Sequence, residues 1–187
     1  MAPLLKIPIG QMSESLLKEI VRDFGRAPYV EVSVPDALLG GNRSMETFFW
    51  QIIDLIDWKQ GDYLSMTAPA TQALSEKPEY QIYLFEEILA EKLYLLDTRK
   101  HAEAIARKDP DRPFSADGFL YDRCGVVAEG REYFERVLAH PEEMPDDISF
   151  EPLLNFAADA YLLKTGRDFD CTPSFNYETQ SNHPAWA

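Results

Sequence analysis

An arginine occupies a position in this chain where an amphipathic helix would present an apolar side chain to a core. Residues 117–128 have helical spacing, and at 100° per residue Arg123 lies inside a broad apolar arc. A guanidinium keeps its charge, so burying it requires a carboxylate or several carbonyl acceptors nearby. The position predicts a structural ion pair, a side chain whose head reaches water, or an arginine that faces a ligand. The arc consists of Phe119, Leu120, Val126 and Val127.

A second cation, Lys92, projects into the apolar face of the longest predicted helix, residues 78–96. Two inward cations need compensation by acidic groups. We therefore expect Glu86 or the following Asp97 to be the acidic partner of one of them. The candidate binding cluster, a group of charged residues between helices, consists of Glu86, Lys92, Asp97, Asp117, Arg123 and Arg131.

The balance of charge limits the partners that the chain can have. Its 187 residues include 32 acids and 18 bases, a net charge of −14, which disfavours binding to nucleic acid or to anionic lipid. No apolar stretch has the length that a bilayer-spanning helix needs. The first ten residues, MAPLLKIPIG, lack the apolar core and cleavage site of a signal peptide, so we expect a cytoplasmic protein.

Residues 1–40 are predicted to form a separate strand–helix–strand module. Residues 4–9 and 29–34 alternate apolar and polar positions as strands do, and residues 14–24 between them have one apolar stripe. A crossover of this kind places its two strands parallel and is right-handed. Because two strands do not form a stable sheet alone, we expect the module to lean on the main body or to pair with a second copy in a homodimer.

Residues 44–187 are predicted to form a helical domain that ends in an extended C-terminal tail. The tail, from residue 167, has no helical period but is rich in aromatic residues, and we expect it to lie across the domain. The predicted fold class is therefore α+β and mostly α, a multi-helix bundle-like domain with a small N-terminal β-α-β element. Helices are predicted over residues 45–58, 63–74, 78–96, 98–106, 117–128 and 150–164, with one more after Gly130.

The sequence contains none of the common catalytic or metal-binding patterns. There is no Gly-rich phosphate loop and no GxSxG, HExxH, CxxC or EF-hand spacing. His101 follows Asp97 by four residues, a spacing typical of a surface pair and only a weak indication of a metal site without a third ligand. Cys124 is expected to be a small core residue, and both it and Cys171 are expected to be reduced. We expect no metal and no cofactor.

Three groups of residues in the helical part carry a family resemblance through their order and spacing. The groups are Phe49-Trp50-x-Ile52-Ile53; Asp117-x-Phe119 with Arg123 and Gly130-Arg131-x-x-Phe134; and Phe150-Glu151-x-Leu153-Leu154 with Ala160-Tyr161-x-x-Lys164-Thr165-Gly166. With these groups the chain resembles, over residues 45–187, a bacterial family catalogued as domain of unknown function 4240. It departs from the family pattern at residues 124–126, where Cys-Gly-Val replaces Trp-Leu-Ile, and at residues 108–113, where KDPDRP replaces a Gly-rich turn. The resemblance implies a helical domain in a bacterial cytosol and supplies no reaction, cofactor or catalytic residue.

Two classes of function remain open at this point. The first is a non-enzymatic intracellular protein that binds another protein, in a regulatory or toxin-neutralising role, as the acidic charge and the lack of catalytic patterns suggest. The alternative is an enzyme or small-anion-binding protein that uses Arg123, Arg131 and Lys92 around Asp117, with Glu86 as acid or base. That alternative requires the side chains to converge on a concave pocket. A third interpretation, nucleic-acid mimicry, would need a continuous acidic stripe, of which the sequence gives no sign.

Overall fold

In the part of the chain that the structure describes, several helices pack against one central helix. A computed structural model describes the backbone of residues 42–187 and side chains from Glu46 onward, and residues 46–187 form one compact unit. Within this part, no helix is long and apolar enough to cross a bilayer. The α-helices of this part are α1 (Asn42–Ile53), α2 (Tyr63–Ser75), α3 (Glu79–Leu96), α4 (Arg99–Lys108), α5 (Ala116–Ala128), α6 (Arg131–Ala139), α7 (Phe156–Thr165) and α8 (His183–Trp186), with 3-10 helices at Pro141–Glu143 and Glu151–Asn155.

The predicted α+β class is wrong. Residues 42–187 contain helices and turns but no strand, so the described part of the chain is a helical domain. The α+β expectation rested only on the alternation in residues 4–9 and 29–34, and an apolar alternation of six residues does not specify a sheet without partner strands. The β-α-β element predicted over residues 1–40, and the homodimer predicted to form through it, lie outside the described residues.

Most helices begin and end close to the predicted positions, because capping residues set their ends. The side chains of Asp62, Thr98 and Ser115 accept hydrogen bonds from the first turns of α2, α4 and α5. α2 runs from Tyr63 to Ser75 with Pro69 inside it. Gly166 ends α7 in the left-handed conformation, at φ 68°.

Two helix ends differ from the prediction. The chain leaves α1 at Ile53 rather than near Trp58, and the amide of Asp57 instead donates to the carbonyl of Met66, 3.0 Å away at the start of α2. This turn leaves Leu55, which was predicted to be buried, 41% exposed. The last long helix begins at Phe156, preceded by the 3-10 turn that contains Pro152.

The core forms around α3, which is buried on several sides because α2, α5 and α7 all pack against it. Phe85 of α3 contacts the ring of Phe49 at a centroid distance of 4.9 Å and stacks on Phe156 at 6.3 Å. These aromatic contacts connect α1, α3 and α7 in one apolar layer. Other fully buried residues of the layer are Ile53, Leu74, Ile82, Leu89, Leu93 and Leu96.

The C-terminal segment, residues 167–187, lies across the helices, as the sequence predicted. It follows the direction of α3, since Phe169 packs on Tyr83 near the start of that helix and Phe175 packs on Tyr94 near its end. Trp186 then contacts Phe119 of α5 at a centroid distance of 6.0 Å. The segment therefore covers α3 along most of its length and reaches the first turns of α5.

A glycine allows the connection between α6 and α7 to approach α5 closely. A Cβ atom at Gly125 would lie 2.7 Å from a methyl carbon of Ile148 and 3.2 Å from that residue's carbonyl carbon and oxygen. The contact is held in place by a hydrogen bond of 3.0 Å from the amide of Phe150 to the carbonyl of Tyr121. No side chain fits at this position unless the connection moves away.

We expect Gly125→Ala to lower the free energy of unfolding by about 1–2 kcal/mol, because overpacking costs about 1–3 kcal/mol and the helix propensity of alanine returns up to about 1 kcal/mol. Urea denaturation measures the change. Gly61→Ala is the control, since nothing lies within 4 Å of a Cβ atom there. A Gly125→Ala variant as stable as the wild type would contradict the close packing described above.

Candidate functional site

Arg123 is fully buried, as its place in the apolar arc indicated, but its partners are neutral groups. Its Nη1 donates to the carbonyl of Leu93 at 2.8 Å and its Nη2 to the hydroxyl of Thr179 at 3.0 Å. The guanidinium also lies 5.0 Å from the ring centroid of Phe119, and its Nε is the one buried side-chain polar atom in the described part of the chain that lacks a hydrogen-bond partner. Burial lowers the pKa of Arg123, and the negative charge of Asp97 opposes that shift.

Asp97 accepts several hydrogen bonds from the C-terminal segment. Its carboxylate accepts from the backbone amides of Gln180 and Asn182, each at 3.0 Å, and from the indole N–H of Trp186 at 2.9 Å. The side chain itself is 0% exposed. A buried carboxylate is stable only when its oxygens are satisfied, and here the donors come from residues more than 80 positions away in the sequence.

Glu86 is buried beneath the same segment without a cationic partner among the described residues. Burial raises the pKa of Glu86 to about 7; the adjacent Glu87 carboxylate adds to the shift, and a hydrogen bond from Tyr177 opposes it. Burial and the Glu86 charge raise the pKa of Tyr177 to about 12. Glu87 accepts from the amide of Ser174 at 3.0 Å, so this neighbouring acid also binds the segment.

The other three members of the candidate cluster lie elsewhere. Lys92 is buried and forms an ion pair with Glu46 of α1; of the two acids predicted to compensate Lys92 or Arg123, Asp97 provides a negative charge near Arg123. Arg131 forms an exposed pair with Glu135, one turn along α6, at 2.7 Å. Asp117 is exposed in the first turn of α5.

The six candidate residues therefore do not meet at one point. Glu86, Asp97 and Arg123 lie under the C-terminal segment, and the other three do not. Two concave regions of the described surface have volumes of about 590 and 40 Å³, and none of the six residues lines either of them. Among the described residues, no three His, Cys, Asp or Glu side chains are grouped so that they could hold a metal ion.

A buried ion pair that the sequence did not predict lies at the start of α5. Asp122 is 2% exposed, and both of its carboxylate oxygens accept from Nη2 of Arg112, at 3.1 and 2.9 Å. Burial raises the pKa of Asp122, and the Arg112 guanidinium opposes the shift. The sequence could have signalled this pair, because Asp122 also falls on a largely buried helix and Arg112 stands in the preceding loop.

His101 and Cys124 are both core residues. His101 is not a surface partner of Asp97: its Nε2 donates to the carbonyl of Val137 at 3.1 Å, and its Nδ1 lies 2.7 Å from the Thr98 hydroxyl. Burial lowers the pKa of His101, so its ring is neutral when these bonds form. Cys124 is fully buried, as predicted, and burial raises its pKa. Neither residue is exposed for chemistry.

An exposed aromatic patch connects the start of α2 with the connection before α7. Trp58 and Tyr63 are 45% and 57% exposed, yet both pack against the buried ring of Phe150, at centroid distances of 5.0 and 5.7 Å. Leu55 and Leu64 are the exposed apolar residues next to them in sequence. We call these four exposed residues the aromatic patch: Leu55, Trp58, Tyr63 and Leu64. Sequence reasoning missed the patch because it assigned Trp58 to the end of a helix.

A protein-family model connects the chain with other sequences. The model is described as a protein of unknown function, DUF4240, and it matches residues 45–162, more than half of the chain. The chain belongs to this family. No curated protein and no solved structure matches the chain.

The DUF4240 match includes all six candidate residues and the aromatic patch, but it ends at residue 162. The C-terminal segment of this DUF4240 protein, which covers Glu86, Asp97 and Arg123, begins after that point. The charged residues lie inside the matched region. The C-terminal segment, which forms hydrogen bonds with Asp97 and Arg123, lies beyond it.

Proposed function

We propose that this protein is a non-enzymatic domain that binds another protein in a regulatory role, of which toxin neutralisation is one form. The observation that carries the proposal is the aromatic patch. Trp and Tyr are enriched at the energetic centres of protein interfaces, and exposed aromatic groups of this size are costly to leave in water. The patch contains two such rings, both packed on the buried Phe150, and two exposed leucines close to them in the sequence.

The two rings of the aromatic patch are held in place by contacts with the core. Because Trp58 and Tyr63 both rest on Phe150, which is 1% exposed, their rings are fixed by the core beneath them. Tyr63 also begins α2, whose start is capped by Asp62 through the amide of Ser65 at 2.9 Å. A surface that is already ordered loses little conformational entropy on binding, so more of the contact energy contributes to affinity.

The charged cluster supports the alternative less well. An enzyme or small-anion site built on Arg123 and Lys92 needs these cations at a surface that a ligand can reach. Their side chains are 0% and 6% exposed, and each already has partners within the fold. Glu86 and Asp97 likewise lie beneath the C-terminal segment. Arg123, Glu86 and Asp97 are best explained as groups that hold the segment in place, and Lys92 as a group that connects α3 with α1.

We expect the tagged protein to capture a stoichiometric partner from a lysate of its source organism, and the capture to be lost when the patch is changed. Leu64→Gln is the mildest change, because Leu64 is 81% exposed, and Trp58→Ala with Tyr63→Ala is the stronger one. The measurement is mass spectrometry of the captured proteins.

Tyr80→Ala provides the matched control, since Tyr80 is 60% exposed and stands beyond the far end of α2, a helix about 18 Å long. Thermal melts of each variant separate lost binding from lost folding. A partner that remains bound to both patch variants, or that is lost equally with Tyr80→Ala, would contradict the proposal.

A further inference from the structure

Each aromatic residue of this surface has an acidic neighbour in the chain. Asp57 precedes Trp58, Asp62 precedes Tyr63, and Glu151 follows Phe150. Consecutive Cα atoms are about 3.8 Å apart, so these acids place negative charge in the same region of the surface as the rings. All the acids that flank the two exposed rings come from one short connection between α1 and α2.

Two of these carboxylates are held in fixed positions. Asp57 accepts from the side-chain amide of Gln60 at 2.8 Å and from the backbone amide of Lys59 at 3.1 Å, and these bonds lower its pKa. Asp62 accepts from the amide and the hydroxyl of Ser65, at 2.9 and 2.8 Å, which lowers its pKa as well. Both groups therefore stay ionised at any pH at which the protein works.

Few cations belong to these connections, although Arg136 of α6 pairs with Glu143 at 2.9 Å and Lys108 of α4 donates to the carbonyl of Met144 at 2.6 Å. In the connections on either side of the patch, residues 54–62 and 140–151, Lys59 is the single lysine or arginine. The nearby Arg112 reaches the carbonyl of Asp146, but its guanidinium already pairs with the buried Asp122. Additional acids in these two connections are Asp54, Glu142, Glu143, Asp146 and Asp147.

We propose that the aromatic patch binds a basic protein segment, in which Lys or Arg side chains flank an apolar residue. This inference rests on the proposed function and adds the chemistry of the partner. The apolar residue packs beside Leu55 and Leu64, while a cation lies over the face of Trp58 or Tyr63 and within reach of the adjacent carboxylate. An aromatic face and a carboxylate both attract a cation. Without the carboxylates, the rings would not distinguish a basic partner from a neutral one.

Other occupants fit this surface less well. A second copy of the chain would bring the same acids against themselves, with a net charge of −14 on each copy. A membrane surface with anionic lipids would meet the same repulsion, since its attraction depends on basic residues that the patch lacks. A basic protein surface is the occupant for which both the rings and the acids are favourable.

The test uses the full-length protein and a fluorescent 14-residue peptide made of Leu and Lys, with fluorescence anisotropy as the measurement. We expect binding that weakens as salt rises, and no binding of the matching Leu and Glu peptide. The triple variant Asp57→Asn, Asp62→Asn, Glu151→Gln should bind the Leu and Lys peptide on the order of tenfold more weakly. Asparagine remains a good N-cap, so the change at Asp62 preserves the start of α2.

A control variant removes the same amount of charge from the C-terminal segment. Asp168→Asn, Asp170→Asn, Glu178→Gln should change the affinity by less than about twofold, because these exposed acids belong to the C-terminal segment rather than to the connections around the patch. An equal loss in both triple variants would overturn the proposal, since net charge alone would then explain binding. Binding of anionic vesicles that Trp58→Ala abolishes would also overturn it, in favour of a membrane.

The two proposals fail in different ways. If the lysate partner is lost with Leu64→Gln but is unaffected by salt and by Asp57→Asn, Asp62→Asn, Glu151→Gln, the patch binds a protein and the basic partner is wrong. If the Leu and Lys peptide binds through these three acids while no lysate protein depends on the patch, the charge complementarity is right and the proposed function is wrong.

Discussion

The Asp97→Asn variant is expected to unfold with a free energy about 3–5 kcal/mol lower than that of the wild type. The substitution keeps the shape of the side chain but removes its negative charge, and the new amide N–H groups face donors rather than acceptors. Asparagine keeps one side-chain oxygen, so only the donors to one carboxylate oxygen, either Gln180 and Trp186 on Oδ1 or Asn182 on Oδ2, lose their acceptor. Arg123 also loses a carboxylate charge that stabilises its buried guanidinium.

Chemical denaturation measures the loss, and hydrogen exchange locates it. Exchange should become faster at the amides of residues 180 and 182 before it does in the core of α3, because the segment detaches first. Asp170→Asn, an exposed acid in the same segment, should change the free energy of unfolding by less than about 0.5 kcal/mol. Unchanged stability and unchanged exchange in Asp97→Asn would mean that the carboxylate does not hold the segment.

Changing Glu86 to Gln is expected to alter how stability depends on pH. The pKa of Glu86 is about 7 in the folded protein and about 4.5 in the unfolded chain, so the folded state retains a proton that the unfolded state has released. Raising the pH from about 4.5 to about 7 should therefore lower the free energy of unfolding of the wild type by about 3 kcal/mol relative to Glu86→Gln. Above pH 7 both states have lost the proton, and the difference stays constant.

The variant must be compared with the wild type at every pH, because other groups titrate as well. The pKa of His101 is lowered by burial, so His101 stabilises the fold as pH rises towards 6.5, opposite in sign to Glu86. Subtracting the curve of Glu86→Gln from that of the wild type removes the contribution of His101. Glu132→Gln, at an exposed position of α6, is the control and should show the same pH dependence as the wild type. If the free energy of unfolding of Glu86→Gln depended on pH in the same way as that of the wild type, Glu86 would have an ordinary pKa.

Local pattern predicted the helices and the unusual burial of two cations. The apolar arcs around Arg123 and Lys92 favoured burial but left open that the charged ends reach water, and both side chains are buried. The length and type of α3 followed from the same periodicity. The prediction that the six charged residues form a binding cluster stays a prediction, since their placement in separate environments does not measure binding.

The partners of those cations could not be predicted, because helical periodicity describes one element at a time. Arg123 binds the carbonyl of Leu93 and the hydroxyl of Thr179, 30 and 56 residues away. Lys92 pairs with Glu46, 46 residues earlier, although Glu86 and Asp97 stand closer in the sequence. The predicted acids instead bind the C-terminal segment, whose lack of any period gave no register for its contacts. The α+β class was wrong. Its only basis was the apolar alternation in two short stretches, residues 4–9 and 29–34.

The late position of the C-terminal segment in the chain affects how the protein is made. The groups that donate to Asp97 lie 83 to 89 residues further along the chain. They leave the ribosome only after all the helices that the C-terminal segment covers. Until these donors have been synthesised, Asp97 and Arg123 stay hydrated. The nascent helices must then pack around a groove that contains water and both charges. Synthesis that stalls before residue 180 would thus release a chain that contains α1 to α7 but lacks α8 and the donors to Asp97, with these two charges still in water.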